Sequence, residues 1–216
     1  MKDVNGIWLP DEEEHLNQYA EGHPYGKWGY QTHKLSAALE HVNGDRKALD
    51  IGGHCGLWSK ELTKIFKEVI AFEPVEVHRE CFNLNVTGNY KLIPYALGEK
   101  NGEVILAGSK DSSGDTWVRP SGDSDGVARN VAEMRVLDDF DFEEIDFLKI
   151  DCEGYELYAL RGGEETLKRC KPVMVVEQKP GKAKRFGLKD TEAITYLKSL
   201  GAKVVKEISG DYIMVW

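Results

Sequence analysis

The sequence predicts an α/β protein built on a doubly wound, mostly parallel β-sheet. From Arg46 onward, short apolar runs alternate with amphipathic helical stretches, the pattern of parallel strands joined by helices. The apolar run at 48–51 ends at a glycine-rich turn, and the run at 69–72 ends at Glu73-Pro74. Ligands bind at the carboxyl ends of the strands in such sheets, so these two turns are the first candidates for a site.

Helical and strand periods define the individual elements. Trp58, Leu62, Ile65 and Phe66 recur on one face of a predicted helix, and 75–86 forms the next helical stretch. The remaining predicted elements are strands at 92–93, 145–150 and 173–176, a helix marked by Leu157, Leu160 and Leu167, a helix that begins at an Asp190 cap and ends at Gly201, and a C-terminal hairpin of 203–208 with 212–216.

Residues 1–44 differ from the rest and are interpreted as an N-terminal arm or lid before a domain at 45–216. They carry four of the six histidines, and the run Pro10–Glu14 could open a short helix. Tyr30 and His33 are candidate substrate contacts. The alternative, held equally strong, is that the aromatic residues of the arm (Trp8, Tyr19, Tyr25, Trp28, Tyr30) only pack it onto the domain.

Residues 95–140 interrupt the alternation of strands and helices. This stretch holds three glycine-containing turns and alternating pieces such as 104–106. We interpret it as a β-rich insertion of hairpins and loops.

Composition excludes several classes of protein. The net charge of −9 disfavours a long nucleic-acid footprint, because phosphate would be repelled. No run approaches the roughly 20 apolar residues of a membrane span, and the first residues lack the apolar stretch of a signal peptide. The four cysteines form no C-x-x-C pair, which suits a reducing compartment. We therefore expect a cytoplasmic protein that acts on something other than a polyanion.

The glycine turn predicts the class of ligand. Gly52 and Gly53 let the backbone approach a ligand, Gly56 lets the next helix pack tightly, and Glu73 follows Gly52 by 21 residues, near the spacing of an acid that binds ribose hydroxyls. Asp50 would repel a dinucleotide's pyrophosphate but favours the sulfonium and ammonium groups of S-adenosylmethionine (AdoMet). An NAD-linked oxidoreductase is therefore disfavoured, and the structural alternative is a glycine turn with solvated acids.

A second acidic cluster follows the predicted strand 145–150. Asp151 lies at the strand tip, where its carboxylate could orient the cofactor or take a proton from an attacking alcohol, and Glu153 in the next turn or a histidine of the arm could assist. Glu177 ends a further strand at the same edge and could bind a substrate hydroxyl. The alternatives are Asp151 as a helix cap and Lys149 with Glu153 as a surface ion pair.

Two other charged groups are interpreted as solvated. Glu156 is placed on an exposed helical face. The only dense basic stretch, 179–185, is placed in a solvated loop.

These segments together resemble the FkbM family of AdoMet-dependent methyltransferases over about residues 46–178. The matching pieces are DIGGHCG (50–56), Ser59, AFEP (71–74), Asn83 with Asn85, YALGEKNG (95–102), IDFLKIDCEGYELYALRGG (145–163) and KPVMVVEQ (171–178). The resemblance implies a class I methyltransferase (Rossmann-like) fold, a seven-stranded sheet whose last hairpin strand is antiparallel. It also implies O-methylation of a hydroxyl on a sugar, glycan or small-molecule acceptor.

The resemblance also implies roles for single residues. Asp50, Gly52, Gly53 and Gly56 would hold the methionine part of AdoMet, Glu73 the ribose, and Ala96 would lie near the adenine, while Asp151 and Glu153 would face the reacting centre. Gly53-His54 stand where the family turn has alanine-asparagine, and His54 is counted with the cofactor-binding residues. Some larger relatives need magnesium in this region, and Asp151, Glu153 and Glu177 could supply ligands. The alternative function is a non-catalytic AdoMet-binding scaffold or sensor.

Overall fold

The computed structural model describes residues 1–16, 30–110 and 112–216. The strands are β1 (Lys2–Val4), β2 (Ile7–Leu9), β3 (Lys47–Ile51), β4 (Glu68–Phe72), β5 (Tyr90–Ile93), β6 (Ala96–Leu97), β7 (Gly102–Gly108), β8 (Thr116–Val118), β9 (Val127–Arg135), β10 (Ile145–Ile150), β11 (Val173–Glu177), β12 (Lys203–Ile208) and β13 (Asp211–Val215). The α-helices are α1 (Thr32–Leu39), α2 (Leu57–Leu62), α3 (Glu76–Asn85), α4 (Glu156–Arg161), α5 (Glu164–Cys170) and α6 (Glu192–Ser199). Within these ranges, every helix is too short or too polar to cross a bilayer.

Seven strands form one mixed sheet in the order β12-β13-β11-β10-β3-β4-β5. The pairs from β11 to β5 are parallel, whereas β13 runs antiparallel to both of its neighbours. The predicted C-terminal hairpin is therefore present as β12 and β13. Asp50 of β3 lies directly opposite Lys149 of β10, so the carboxyl ends of the two central strands meet at one edge.

Alternation along the strands sends their side chains to two separate cores. Leu49, Ile51 and Ile150 pack with helices α4 to α6, whereas Ala48 and Phe147 pack with α1 and α2. Helices thus cover both faces of the sheet. Because Asp50 and Lys149 share the parity of Ala48 and Phe147, their side chains lie on the face that α1 and α2 cover.

Two smaller sheets flank the large one. Strands β6, β9, β7 and β8 form a four-stranded sheet within the predicted insertion, and β1 pairs with β2. Asn85 of α3 anchors β2, since its side chain accepts a hydrogen bond from Trp8 N at 2.7 Å and donates to Trp8 O at 2.8 Å. The interpretation of Tyr19, Tyr25 and Trp28 as binding or packing residues concerns positions outside the described residues.

Several predicted helices differ from those observed. The helix predicted to open at Pro10–Glu14 is wrong, because this segment forms turns. The helix predicted through Phe66 ends at Leu62, and Phe66 reaches the core from the turn that follows.

The single helix predicted through Leu157, Leu160 and Leu167 is two helices, α4 and α5, separated at Gly162-Gly163. A Cβ atom at Gly162 would lie 2.0 Å from Gly98 O, so the break seats this segment against the loop at Gly98. The predicted Asp190 cap is also wrong, since Thr191 occupies the cap position of α6 and Asp190 Oδ1 instead accepts from Gly181 N at 2.8 Å.

A buried ion pair between Lys34 of α1 and Asp211 of β13 attaches the helix to the sheet, with each residue 5% exposed. We expect Lys34→Met to lower the free energy of unfolding by about 3–5 kcal/mol, because it leaves the Asp211 carboxylate buried without its partner. Urea denaturation measures the loss. Lys64→Met, which removes an exposed ion pair with Glu61, is the control and should cost no more than about 1 kcal/mol. Equal losses in both variants would contradict the prediction.

Candidate active site

A single cavity at the carboxyl edges of β3, β4 and β10 brings most of the predicted site residues together. Those that line it are Tyr30, Asp50, Gly52, Gly53, His54, Glu73, Ala96, Asp151 and Glu153. Gly56, His33 and Glu177 lie outside this lining. Gly56 has a packing role instead, because a Cβ there would lie 2.4 Å from Val86 Cγ2 and 2.9 Å from Phe82 Cδ2.

The glycine turn after β3 is fixed by its neighbours on both sides. Gly52 N and Gly53 N both donate to Phe72 O at 3.0 Å, which ties the turn to the end of β4. Gly52 has φ +81°, and a Cβ there would lie 2.0 Å from Asp151 O. Only glycine permits this approach, so the backbones at the tips of β3 and β10 are in direct contact.

Asp50 is the fully buried carboxylate of this turn. Its Oδ2 accepts a hydrogen bond from Ser59 Oγ at 2.7 Å, and its Oδ1 lies 4.0 Å from Lys149 Nζ. Burial raises the pKa of Asp50, while the Lys149 ammonium and the Ser59 hydrogen bond oppose that rise. Among the described residues no group hydrogen-bonds to Oδ1, a buried oxygen that has the Lys149 ammonium as its ion-pair partner.

Glu73, at the tip of β4, is held in one orientation by its own turn. Oε1 accepts from Val75 N at 2.8 Å and lies 3.2 Å from His78 Nδ1, while Oε2 accepts from His54 N at 2.8 Å. Burial alone would raise the pKa of Glu73, but His78 beside it and the Val75 hydrogen bond lower it. The solvated alternative is wrong, and Oε2 retains a lone pair for a ligand hydroxyl.

His54 joins the glycine turn to two distant segments. Its Nε2 lies 2.8 Å from Ser113 Oγ, and that hydroxyl lies 2.6 Å from Glu13 Oε2, which also accepts from Ser113 N at 2.7 Å. Burial and the neighbouring His78 lower the pKa of His54 to about 3, so the ring is neutral. Since Ser113 donates its proton to Glu13, His54 Nε2–H is the donor to Ser113 Oγ. Neither Glu13 nor Ser113 carries a motif that sequence reasoning could have found.

Removing the central hydroxyl of this network should destabilise the protein. We expect Ser113→Ala to lower the free energy of unfolding by about 1–3 kcal/mol, because the buried His54 N–H loses its acceptor. Thermal or urea denaturation measures the loss. The exposed Ser121 provides the matched control, and an effect of Ser121→Ala as large as that of Ser113→Ala would refute the role of the network.

Asp151 projects from the tip of β10 beside Lys149, whose Nζ lies 3.4 Å from Asp151 Oδ2. Burial alone would raise the pKa of Asp151, but the Lys149 ammonium and a hydrogen bond from Glu177 lower it well below its usual range. Asp151 is therefore a permanent anion and a weak proton acceptor. Its alternative role as a helix cap is not observed, because Tyr155 occupies the cap position of α4.

The backbone of the turn at Glu153 is sterically constrained. Its φ of 55° is in the left-handed region, and a Cβ on the following Gly154 would lie 2.5 Å from Lys182 O. The Glu153 carboxylate forms an ion pair with Lys182. Burial and the charge of Asp151 raise the pKa of Glu153 to about 7, against the opposing effect of Lys182. Glu153 is thus poised to exchange a proton near neutral pH.

Glu156 and the basic loop, which were interpreted as solvated, and the alternative of a surface Lys149–Glu153 pair all differ from the structure. Lys149 is 6% exposed and does not pair with Glu153 at the surface. Glu156 is 1% exposed and accepts from Cys152 N at 2.9 Å and from Gly154 N at 3.0 Å, which fixes the turn that carries Glu153. The basic loop contributes Lys179 and Lys182 to the cavity lining.

Asp151, Glu153 and Glu177 form an acidic triad, with one oxygen of each within 4.8 Å of the others. Burial and the charge of Asp151 raise the pKa of Glu177. Lys179 pairs with Glu177, and Lys149 and Lys182 contact the other two carboxylates. This donor set fits the divalent cation that the resemblance suggested poorly, because each of the three carboxylates already pairs with a lysine ammonium.

Comparisons with known proteins agree with the fold. The family model described as a methyltransferase FkbM domain matches residues 50–204. A methyltransferase FkbM from Methylobacillus flagellatus KT has 14% sequence identity and a TM-score of 0.52 over 80% of this chain. The match covers 44% of that protein, so this chain spans less than half of its length. A SAM-dependent methyltransferase from Aquifex aeolicus has 14% identity and a TM-score of 0.48, covering 90% of this chain and 94% of its own. No curated protein matches the sequence significantly.

Proposed function

Because this chain belongs to the methyltransferase FkbM domain family, we propose that it transfers a methyl group from AdoMet to a hydroxyl of a sugar, glycan or other small-molecule acceptor. One observation carries the proposal. A single cavity is lined by Asp50 and Glu73, which the proposal assigns to a donor end, and by Asp151 and Glu153, which it assigns to an acceptor end. A donor held by the first pair would therefore present its reactive group to an acceptor beside the second.

The residues of the donor end fit AdoMet. The Asp50 carboxylate suits a cationic ligand, the backbone at Gly52 and Gly53 permits close approach, and Glu73 Oε2 can accept a ribose hydroxyl. Ala96 lines the same cavity, and the proposal places the adenine beside it. When bound, AdoMet supplies an electrophilic methyl group on a positively charged sulfur.

Glu153 is the general base in this proposal, and Asp151 is a fixed anion. A base acts best when its pKa lies near the working pH, which favours Glu153 over the more acidic Asp151. Asp151 instead holds Lys149 and provides an acceptor for a substrate hydroxyl. The cavity aligns the acceptor oxygen with the methyl group, and much of the acceleration would come from this alignment.

The lining of the acceptor end supports a polyhydroxylated acceptor. Tyr30, a predicted substrate contact, stays protonated as a hydrogen-bond donor because burial and the charge of Asp151 raise its pKa. Asp115 and Tyr155 add an acceptor and an aromatic surface. Lysines and carboxylates alternate here, which suits an acceptor without strong net charge. The proposal places the reaction in the cytoplasm and excludes nucleic acid, for the reasons of composition given above.

The test is to incubate the protein with methyl-labelled AdoMet and a panel of sugars, glycolipids and polyketide-like alcohols. Transfer of label to an acceptor oxygen, with formation of S-adenosylhomocysteine, supports the proposal. Binding of AdoMet without turnover on any acceptor favours the scaffold or sensor alternative. A thermal shift caused by NAD and not by AdoMet would overturn the proposal in favour of an oxidoreductase.

A further inference from the structure

Three lysines surround the acidic triad at the acceptor end of the cavity. Lys149 comes from β10, whereas Lys179 and Lys182 come from the loop after β11, and all three line the cavity. Their neighbours within the main sheet add further charge, since Asp211 and Lys34 form a buried pair beside β11. The loop lysines therefore reach the triad from outside the sheet, while Lys149 approaches it from within.

Each carboxylate of the triad has at least one of these lysines as its partner. Lys149 Nζ lies 3.4 Å from Asp151 Oδ2. Lys182 pairs with Glu153, lies 3.8 Å from Glu177 Oε2, and reaches Asp115 of the insertion at 3.5 Å. Lys179 pairs with the other oxygen of Glu177, Oε1. The contacts come from two directions and converge on oxygens that lie within 4.8 Å of one another.

We propose that the ammonium groups of Lys149, Lys179 and Lys182 take the place of a divalent metal ion at the acidic triad. They hold the three carboxylates in position and supply the positive charge that such an ion would bring. A dication placed among the same oxygens would be repelled by three ammonium groups, of which that of Lys149 is buried. The triad is thus a lysine-balanced cluster, in which no metal is needed to hold the acids together.

This arrangement has a consequence for the reaction, which rests on the proposed function. Deprotonation of the acceptor would use Glu153 and proceed without a metal ion. Lys182 would act as a positioning residue for Glu153. It contacts that carboxylate directly, and it also contacts Asp115 of the insertion and Glu177 of β11. The charge balance itself does not depend on the identity of the acceptor.

The experiment is a titration of the full chain with Mn²⁺. Binding is measured as the loss of the free-ion signal in electron paramagnetic resonance. We expect no stoichiometric binding by the wild-type protein. The double variant Lys179→Met with Lys182→Met should bind one Mn²⁺ with an affinity higher by at least about tenfold, because two repelling charges are removed. Replacement of both lysines by arginine should restore the exclusion of metal. Lys184→Met, which removes an exposed lysine paired with Asp190, is the matched control and should behave as wild type.

Circular dichroism establishes that the variants are folded. If the double variant does not fold, the single variant Lys179→Met is titrated in its place. Stoichiometric binding of Mn²⁺ by the wild-type protein would overturn the proposal, as would a folded double variant that still binds none. Where turnover is measurable, it should survive a chelator such as EDTA, and its loss with recovery on adding Mg²⁺ would also overturn it. Failure to find an acceptor would count against the proposed function but would leave the Mn²⁺ result intact.

Discussion

Replacement of Asp50 by asparagine should weaken AdoMet binding by about 100-fold, or nearly 3 kcal/mol. The amide keeps the shape of the side chain and an acceptor for Ser59, so the glycine turn should remain folded. It removes the negative charge that faces the cationic ligand and leaves the Lys149 ammonium 4.0 Å away to repel it. Isothermal titration calorimetry with AdoMet measures the loss.

Asp146→Asn is the matched control for this prediction. Asp146 lies near the opposite end of β10, where it pairs with Arg46 away from the cavity. Its replacement should leave AdoMet affinity unchanged. If Asp50→Asn binds AdoMet as tightly as the wild-type protein, the assignment of the donor end to this turn is wrong.

Replacement of Glu153 by glutamine should lower kcat by about 10²–10⁴-fold while AdoMet affinity stays within about twofold of wild type. Glutamine fills the same space but cannot accept the acceptor's proton. The reaction would have to rely on alignment alone, which explains why activity falls without a loss of binding. Single-turnover kinetics with labelled AdoMet measure the chemical step directly.

The pH profile provides a second measurement of the same role. Because a base must be unprotonated, wild-type kcat should rise with pH through about 7 and then level off, following the pKa of Glu153. Asp151→Asn should lower kcat without abolishing this rise, since Asp151 is ionised throughout the range. A profile that Glu153→Gln leaves unchanged would assign the base to another group.

That Asp50 and Glu73 line one cavity could be predicted from the sequence, because the two residues lie on neighbouring strand tips. Asp50 and Glu73 each follow an apolar run, and parallel strands bring their carboxyl ends to one edge whatever else the chain does. Asp151 could be placed for the same reason. The local sequence pattern was sufficient to place these three carboxylates together, because the pairing of parallel strands brings their carboxyl ends to the same edge of the sheet.

Residues whose partners come from distant segments could not be placed in this way. Lys182 has the sequence context of a solvated loop, and only the fold brings it to Glu153 and Asp115. Glu13 lies in an acidic run typical of a surface, yet it is fully buried against Ser113, 100 residues away. Glu156 falls at a helical position that looks exposed, and its burial depends on the turn it closes.

The contact between Gly52 and the backbone of Asp151 couples the position of the glycine turn after β3 to that of the tip of β10. A substitution that moves the tip of β10 would also displace the glycine turn after β3, because a Cβ at Gly52 would lie 2.0 Å from Asp151 O. Substitutions at the two tips should therefore show strong epistasis in double-mutant cycles.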